Sequence, residues 1–349
     1  MGRRVLVTGL GTTWGGRIAR HLEPDPDVEA IVGLDTTGPT VPLDRTEYVR
    51  SDPGYSILAR IVKATGVDTI VHTALVVDSA RTSGRRIHDV NVIGTLNLLA
   101  AAAQPESRVT TVIVKSSTVV YGAHHRDPVW FGEDTPRSSP PRHRIERSLV
   151  EVESLVRDFA VDNPHVTLSL LRVADVLGPG VTTSLTRALE RTLVPSIAGF
   201  DPRMQFVDED DVVGALLFVL DRQVGGVYNV AGDGLLPWSE VVAACGRRRL
   251  PLSPAGRHLL PGLFGRFGID LPSELPDLLT YGRGVDTGRL AAAGFTCART
   301  SAAAVAAFAE TLPRRRTSGA TTIGGHGHGG EPGVRPSPAV VPDRPDLGP

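Results

Sequence analysis

Gly9, Gly11 and Gly15 stand in the stretch Val5-Leu6-Val7-Thr8-Gly9-Leu10-Gly11-Thr12-Thr13-Trp14-Gly15-Gly16, with Asp35 further along the chain. Residues of these types at this spacing can hold a dinucleotide. An apolar, β-branched run enters clustered glycines, and the amphipathic Arg17-Ile18-Ala19-Arg20-His21-Leu22 then opens a helix. The product is a strand, a tight turn and a helix N-terminus, whose free N–H groups bind a pyrophosphate. A Cβ in the turn would keep phosphate oxygens off the backbone and oppose a positive φ. Thr12, Thr13 and Trp14 complete the turn and join the glycines as cofactor-binding candidates. Asp35 closes the next apolar run, Ala30-Ile31-Val32-Gly33-Leu34, about twenty residues beyond the glycines, where an acid takes the adenosine ribose hydroxyls. Its carboxylate would repel a 2′-phosphate, and Thr36-Thr37-Gly38 supplies no Arg to receive one, so NAD is expected rather than NADP.

Composition narrows the setting. A chain of 349 residues has room for one large or two modest domains, and a net charge of −1 without a concentrated basic face argues against nucleic acid as the partner. Cys245 and Cys297 are the two cysteines and have no zinc spacing, so no metal and no disulfide framework are expected. The first strand starts within a few residues of Met1, leaving no room for a signal peptide, and no apolar run reaches membrane-spanning length. These points favour a cytoplasmic protein. Two histidines in Gly325-His326-Gly327-His328-Gly329 are read as bystanders in a Pro/Gly-rich tail over 313–349, expected to be disordered.

The elements that must position the turn are legible as an alternation. Strand-type runs at Glu47–Arg50, Thr69–His72, Thr110–Val114 and Thr167–Arg172 alternate with helical patterns, among them one over Ile87–Ala103. This predicts an α/β fold, a Rossmann-type doubly wound parallel sheet over 1–180, to which 204–232 returns through Val227–Val230. The segments 181–203 and 233–312 are expected to form a smaller, mostly helical substrate lobe.

In order along the chain, Thr8-Gly9 through Gly15, Asp35, Ser51-Asp52, Val71-His72-Thr73-Ala74, Asn91-Val92-Ile93-Gly94-Thr95, Ser116-Ser117-Thr118-Val119-Val120-Tyr121-Gly122, Leu171 through Pro179 and Gln205 through Val212 resemble the extended short-chain dehydrogenase/reductases. The branch is that of the NAD-dependent epimerases and dehydratases, which includes nucleotide-sugar 4-epimerases. The resemblance implies a small-molecule substrate such as a nucleotide sugar, no membrane, and a homodimer formed through helices flanking the site. It implies that Asp52 contacts the adenine, that Thr73, Ala74, Leu75 and Ser116 line the cofactor, and that Asn91 ties the central helix to the sheet. Arg203 and Arg283 are the implied partners of a substrate diphosphate, with Arg172 and Arg289 as further candidates.

Two departures stand out. Thr12 occupies the place of the family's middle glycine, which is shifted to Gly11. The family's Tyr and the Lys four residues later, which exchange the substrate proton, fall on Ile145 and Leu149. Those residues continue with Val152 and Val156 as an apolar stripe and carry no proton. Ser117 keeps the position of the supporting Ser. Acid/base substitutes are then Lys115, which shares Ser117's strand parity, and His143, which with Arg147 repeats the lost spacing. Glu133 and Asp134 are two further carboxylates in the adjoining loop. The expected function is an NAD-dependent epimerase or dehydratase with a degenerate acid/base set, the alternative a non-catalytic NAD(H)-binding sensor or scaffold.

Overall fold

The apolar runs assemble into a seven-stranded sheet in a computed structural model that describes residues 2–80, 82–255 and 272–313. Its strands are β1 (Arg3–Thr8), β2 (Val28–Asp35), β3 (Thr46–Arg50), β4 (Thr69–His72), β5 (Thr111–Ser117), β6 (Thr167–Val173) and a last strand, Gly226–Val230. From one edge the order is Gly226–Val230, β6, β5, β4, β1, β2, β3, and every neighbouring pair is parallel. Strand order reverses between β1 and β4, so the loops that leave those two strands diverge and open a crevice at the carboxyl edge of the sheet. The tail from 314 onward, with its His326 and His328, lies outside the described residues.

Helices α1 (Thr13–Leu22), α2 (Tyr55–Thr65), α3 (Gly84–His88), α4 (Gly94–Ala102) and α5 (Arg144–Asp162) cover the sheet. The pattern read over Ile87–Ala103 is α3 and α4 joined by a π-turn at Asp89–Ile93. Such a turn inserts one residue and re-aims its neighbours. Here Asn91 is turned inward: its Nδ2 donates to the Val76 carbonyl at 2.8 Å, and its Oδ1 accepts from the Val76 N–H at 2.8 Å. Its Nδ2 also meets the Ser148 hydroxyl of α5 at 3.1 Å, so one amide binds the loop after β4 to two helices.

Two apolar cores result. The larger fills the sheet and its helices, and the smaller gathers Leu177, Leu189, Phe206, Trp238 and Phe308 beside the segments that follow β6. Between the sheet and α5, Arg172 is buried with its guanidinium on Glu153, 2.6 Å from Oε2. The same guanidinium donates to the Tyr121 hydroxyl at 2.7 Å and to the Glu133 carbonyl at 2.8 Å. Arg172→Met would leave the Glu153 charge buried without its partner and should cost about 3–5 kcal/mol. Urea unfolding should show that loss, and Arg172→Met with Glu153→Met should recover most of it.

Candidate functional site

The turn after β1 is closed by contacts that admit no side chain. Gly9 has φ +79°, and a Cβ there would lie 2.6 Å from the Ala74 nitrogen; one on Gly15 would lie 2.2 Å from the Gly9 carbonyl oxygen. Gly11 is constrained by backbone too, since a Cβ would meet the Thr37 carbonyl oxygen at 2.9 Å. The shifted glycine is therefore required where it stands. Thr12, in the place of the missing glycine, is the N-cap of α1: its hydroxyl accepts from the Gly15 N–H at 3.1 Å and donates to the Gly9 carbonyl at 2.7 Å. Asp35 is held to this turn, accepting the Gly11 N–H at 3.0 Å and the Thr37 N–H at 3.1 Å.

A groove of about 250 Å³ runs over the turn, lined by Gly9, Gly11, Thr12, Asp35 and Ala74 among others. His72 lies at its base between the Thr8 hydroxyl at 2.6 Å and the Thr95 hydroxyl at 3.0 Å, and burial pushes its pKa down to about 4, so it is a neutral hydrogen-bonding group. Several expected contacts go elsewhere. Asp52 is exposed and faces Arg86 at 3.5 Å, while its neighbours Ser51 and Pro53 line the groove. Thr73 donates inward to the Thr8 carbonyl at 2.9 Å, and Leu75 is packed in the core. Ser116 points to the other face of β5, donating to Glu153 at 2.9 Å.

Gly11, Thr12 and Val76 also line a neighbouring chamber of about 440 Å³. Thr13, Trp14, Lys115, Ser117, Val173, Ala174 and Arg283 are among the residues that line it. β5 runs on past the expected Val114 to Ser117, and its period-two alternation puts Lys115 and Ser117 on one wall. Lys115 is 3 % exposed, its Nζ 4.9 Å from the centre of the Trp14 ring. Burial alone brings its pKa down to about 8. Ser117 accepts the Val119 N–H at 3.3 Å.

The chamber also holds carboxylates that the sequence reading missed: Asp78, Glu146, Asp175 and Glu274. Asp175 stands two residues past the end of β6, at the carboxyl edge where ligands bind in such sheets, and that position was the available signal. Its carboxyl is pushed up by burial against the opposing pull of Arg283, 3.6 Å away. Asp78 accepts the Ser184 hydroxyl at 2.8 Å and Glu274 the Ser79 hydroxyl at 2.8 Å.

The remaining candidates are drawn into structural pairs. Ile145 and Leu149 are fully buried in the larger core, as are Val152 and Val156. His143 precedes α5, its Nε2 3.0 Å from Asp277, which raises its pKa, and it is not part of the chamber wall. Arg147 turns back to the Arg142 carbonyl at 2.7 Å. Glu133 accepts the Asn229 N–H at 2.9 Å, and Asp134 pairs with Arg289 at the surface. Arg203 is exposed and off the chamber wall, and Arg172 is committed to Glu153.

The match to known proteins follows the same residues. Positions 5–231 match the model of the NAD dependent epimerase/dehydratase family. The chain belongs to that family. It is similar to an uncharacterized protein of Mycobacterium tuberculosis, 32% identical over 292 residues that cover 82% of this chain and 77% of that protein. Its fold is similar to that of MoeE5 solved with UDP-glucuronic acid and NAD, at TM-score 0.69, 21% identity, and coverage of 88% and 98%. It is similar again to UDP-glucuronic acid 4-epimerase of Bacillus cereus with NAD, at TM-score 0.65, 16% identity, and coverage of 88% and 97%. NAD is the cofactor of the family, and the turn of this chain fits it: three positions where a Cβ would collide, a helix N-terminus and a carboxylate held beside them. No helix among the described residues is long and apolar enough to cross a membrane.

Burial of Lys115 has a measurable cost. With its pKa near 8 in the fold against 10.5 ordinarily, both folded and unfolded chains are protonated below pH 8, and the folded state bears about 3 kcal/mol. Between pH 8 and 10.5 the unfolded chain keeps a proton the folded one has released, so stability rises with pH there. Lys115→Met should accordingly melt roughly 5 °C higher than wild type at neutral pH, with the gap closing by about pH 10 in thermal unfolding.

Proposed function

We propose that this chain binds NAD along the groove, with the adenosine on Asp35 and the nicotinamide half in the chamber, and acts there on a hydroxyl-bearing carbon of a small molecule. Lys115 and Ser117 serve as its proton-handling pair. The observation that carries the reading is their shared wall in a chamber that has Gly11, Thr12 and Val76 in common with the groove, while Ile145 and Leu149 are shut in the core. NAD, when bound, supplies hydride acceptance and return at one carbon.

The residues of the chain do the rest. With a pKa near 8, Lys115 can take a proton at Nζ and give it back near neutral pH. Ser117 accepts from the Val119 N–H, which leaves its own O–H to donate to a substrate oxygen. A nucleotide sugar is the substrate class we favour, because the similar folds carry UDP-glucuronic acid or are named for it, and because Arg283 offers a cation in the chamber. A homodimer belongs to the same reading, supported by exposed Ile93 and Leu96 at and beside α4. A second reading, a non-catalytic NAD(H) sensor, is favoured by the burial of Ile145 and Leu149.

Conversion of a panel of nucleotide sugars by the purified protein, with NAD binding measured in parallel, tests both. Lys115→Ala and Ser117→Ala should each lower turnover about a hundredfold or more. Asp35→Ala should weaken NAD binding about tenfold, the loss of a hydrogen-bonded charge. Full NAD binding with no turnover across the panel would overturn the enzyme reading and leave the sensor.

A further inference from the structure

Crossing from β2 to β5 takes three steps through the sheet, β2 to β1, β1 to β4 and β4 to β5, or ~14 Å at ~4.8 Å each. An extended dinucleotide with its adenosine at Asp35 and its pyrophosphate at Gly11 and Thr12 thus reaches the wall where Trp14, Lys115 and Ser117 stand. The nicotinamide ring carries a positive charge when oxidised and none when reduced. We infer that the Lys115 ammonium, buried on this wall, makes the site prefer NADH over NAD⁺. The inference rests on the nicotinamide placement proposed above and not on any turnover.

Lys115 keeps this charge without help. Among the described residues its one polar or charged contact is the Trp14 ring, and a π-face stabilises a cation without cancelling its charge. The charged groups around it are engaged with others. From the segment after β6, Asp175 faces Arg283; from the loop after β4, Asp78 holds Ser184; from α5, Glu146 holds Arg137. From the helix Glu209–Arg222, Glu209 holds the Gly180 N–H and lies 3.7 Å from Arg17. Glu274 binds Ser79. Burial, and none of these carboxylates, sets the lowered pKa of Lys115. A cationic ring beside this wall meets a like charge, while the neutral reduced ring does not.

Calorimetric titration of the full chain with NAD⁺ and with NADH tests this, using wild type, Lys115→Met and Lys115→Arg at pH 7, and wild type again at pH 9.5. Wild type at pH 7 should bind NADH up to about tenfold tighter than NAD⁺, the ceiling being the cost of releasing the Lys115 proton one pH unit below its pKa of about 8. Lys115→Met should tighten NAD⁺ and erase most of that ratio, Lys115→Arg should keep it, and wild type at pH 9.5 should approach Lys115→Met. An unchanged ratio in Lys115→Met overturns the inference, as does a ratio near one in wild type at pH 7. Should Lys115→Met fail to fold, the wild-type ratio at the two pH values decides alone. Loss of binding of both nucleotides would overturn the cofactor placement itself, whereas a ratio that behaves as stated with no turnover would overturn only the enzyme reading.

Discussion

The interior position of β5 constrains everything around the site. All seven of its residues are buried, so each polar side chain near its end must find a partner on the face to which the strand's alternation assigns it. Ser116 finds Glu153, and through it Arg172, Tyr121 and Asn229. On the opposite face Lys115 finds an aromatic ring and a chamber, and Ser117 finds the next turn of its own chain. One face of the strand is thereby spent on holding α5, and the other is left to a ligand.

This division bears on the two apolar residues of α5. Ile145 and Leu149 seal the helix against the core, and Ser148 between them completes the clamp that Asn91 makes on Val76. With apolar side chains at those positions, neither residue offers a proton-carrying group, whereas Lys115 and Ser117 stand on the sheet wall of the chamber. A helix that would otherwise present a phenol and an amine to substrate here works as a packing strut, while the groove beside it keeps its turn, its acid and its neutral histidine.

Features that depend on neighbours in sequence were legible. The glycine cluster, Asp35 at the end of β2, the parallel alternation and the apolar stripe of α5 all follow from local geometry and period. The parity of Lys115 and Ser117 followed as soon as the strand was taken to extend past Val114. Features set by distant partners were not. Asp52 faces Arg86 and Arg172 is claimed by Glu153, and neither pairing is written in spacing. The π-turn at Asp89–Ile93 leaves the apolar period almost unchanged, so the helix was readable from its period, while the inward role of Asn91 came only with the resemblance. Asp78 and Glu274 resemble ordinary surface carboxylates until the loop after β4 meets the second core's segments.

The Thr12 cap bears on how a phosphate is held. The first turn of any helix has a small stock of unsatisfied N–H groups, and these are what grip a phosphate. In α1 one of them, on Gly15, is already bonded to the Thr12 hydroxyl, which in turn leans on the Gly9 carbonyl. A donor committed inside the protein is withheld from an incoming oxygen. The turn is thereby braced from within, and α1 has one fewer free donor in its first turn to offer an incoming phosphate.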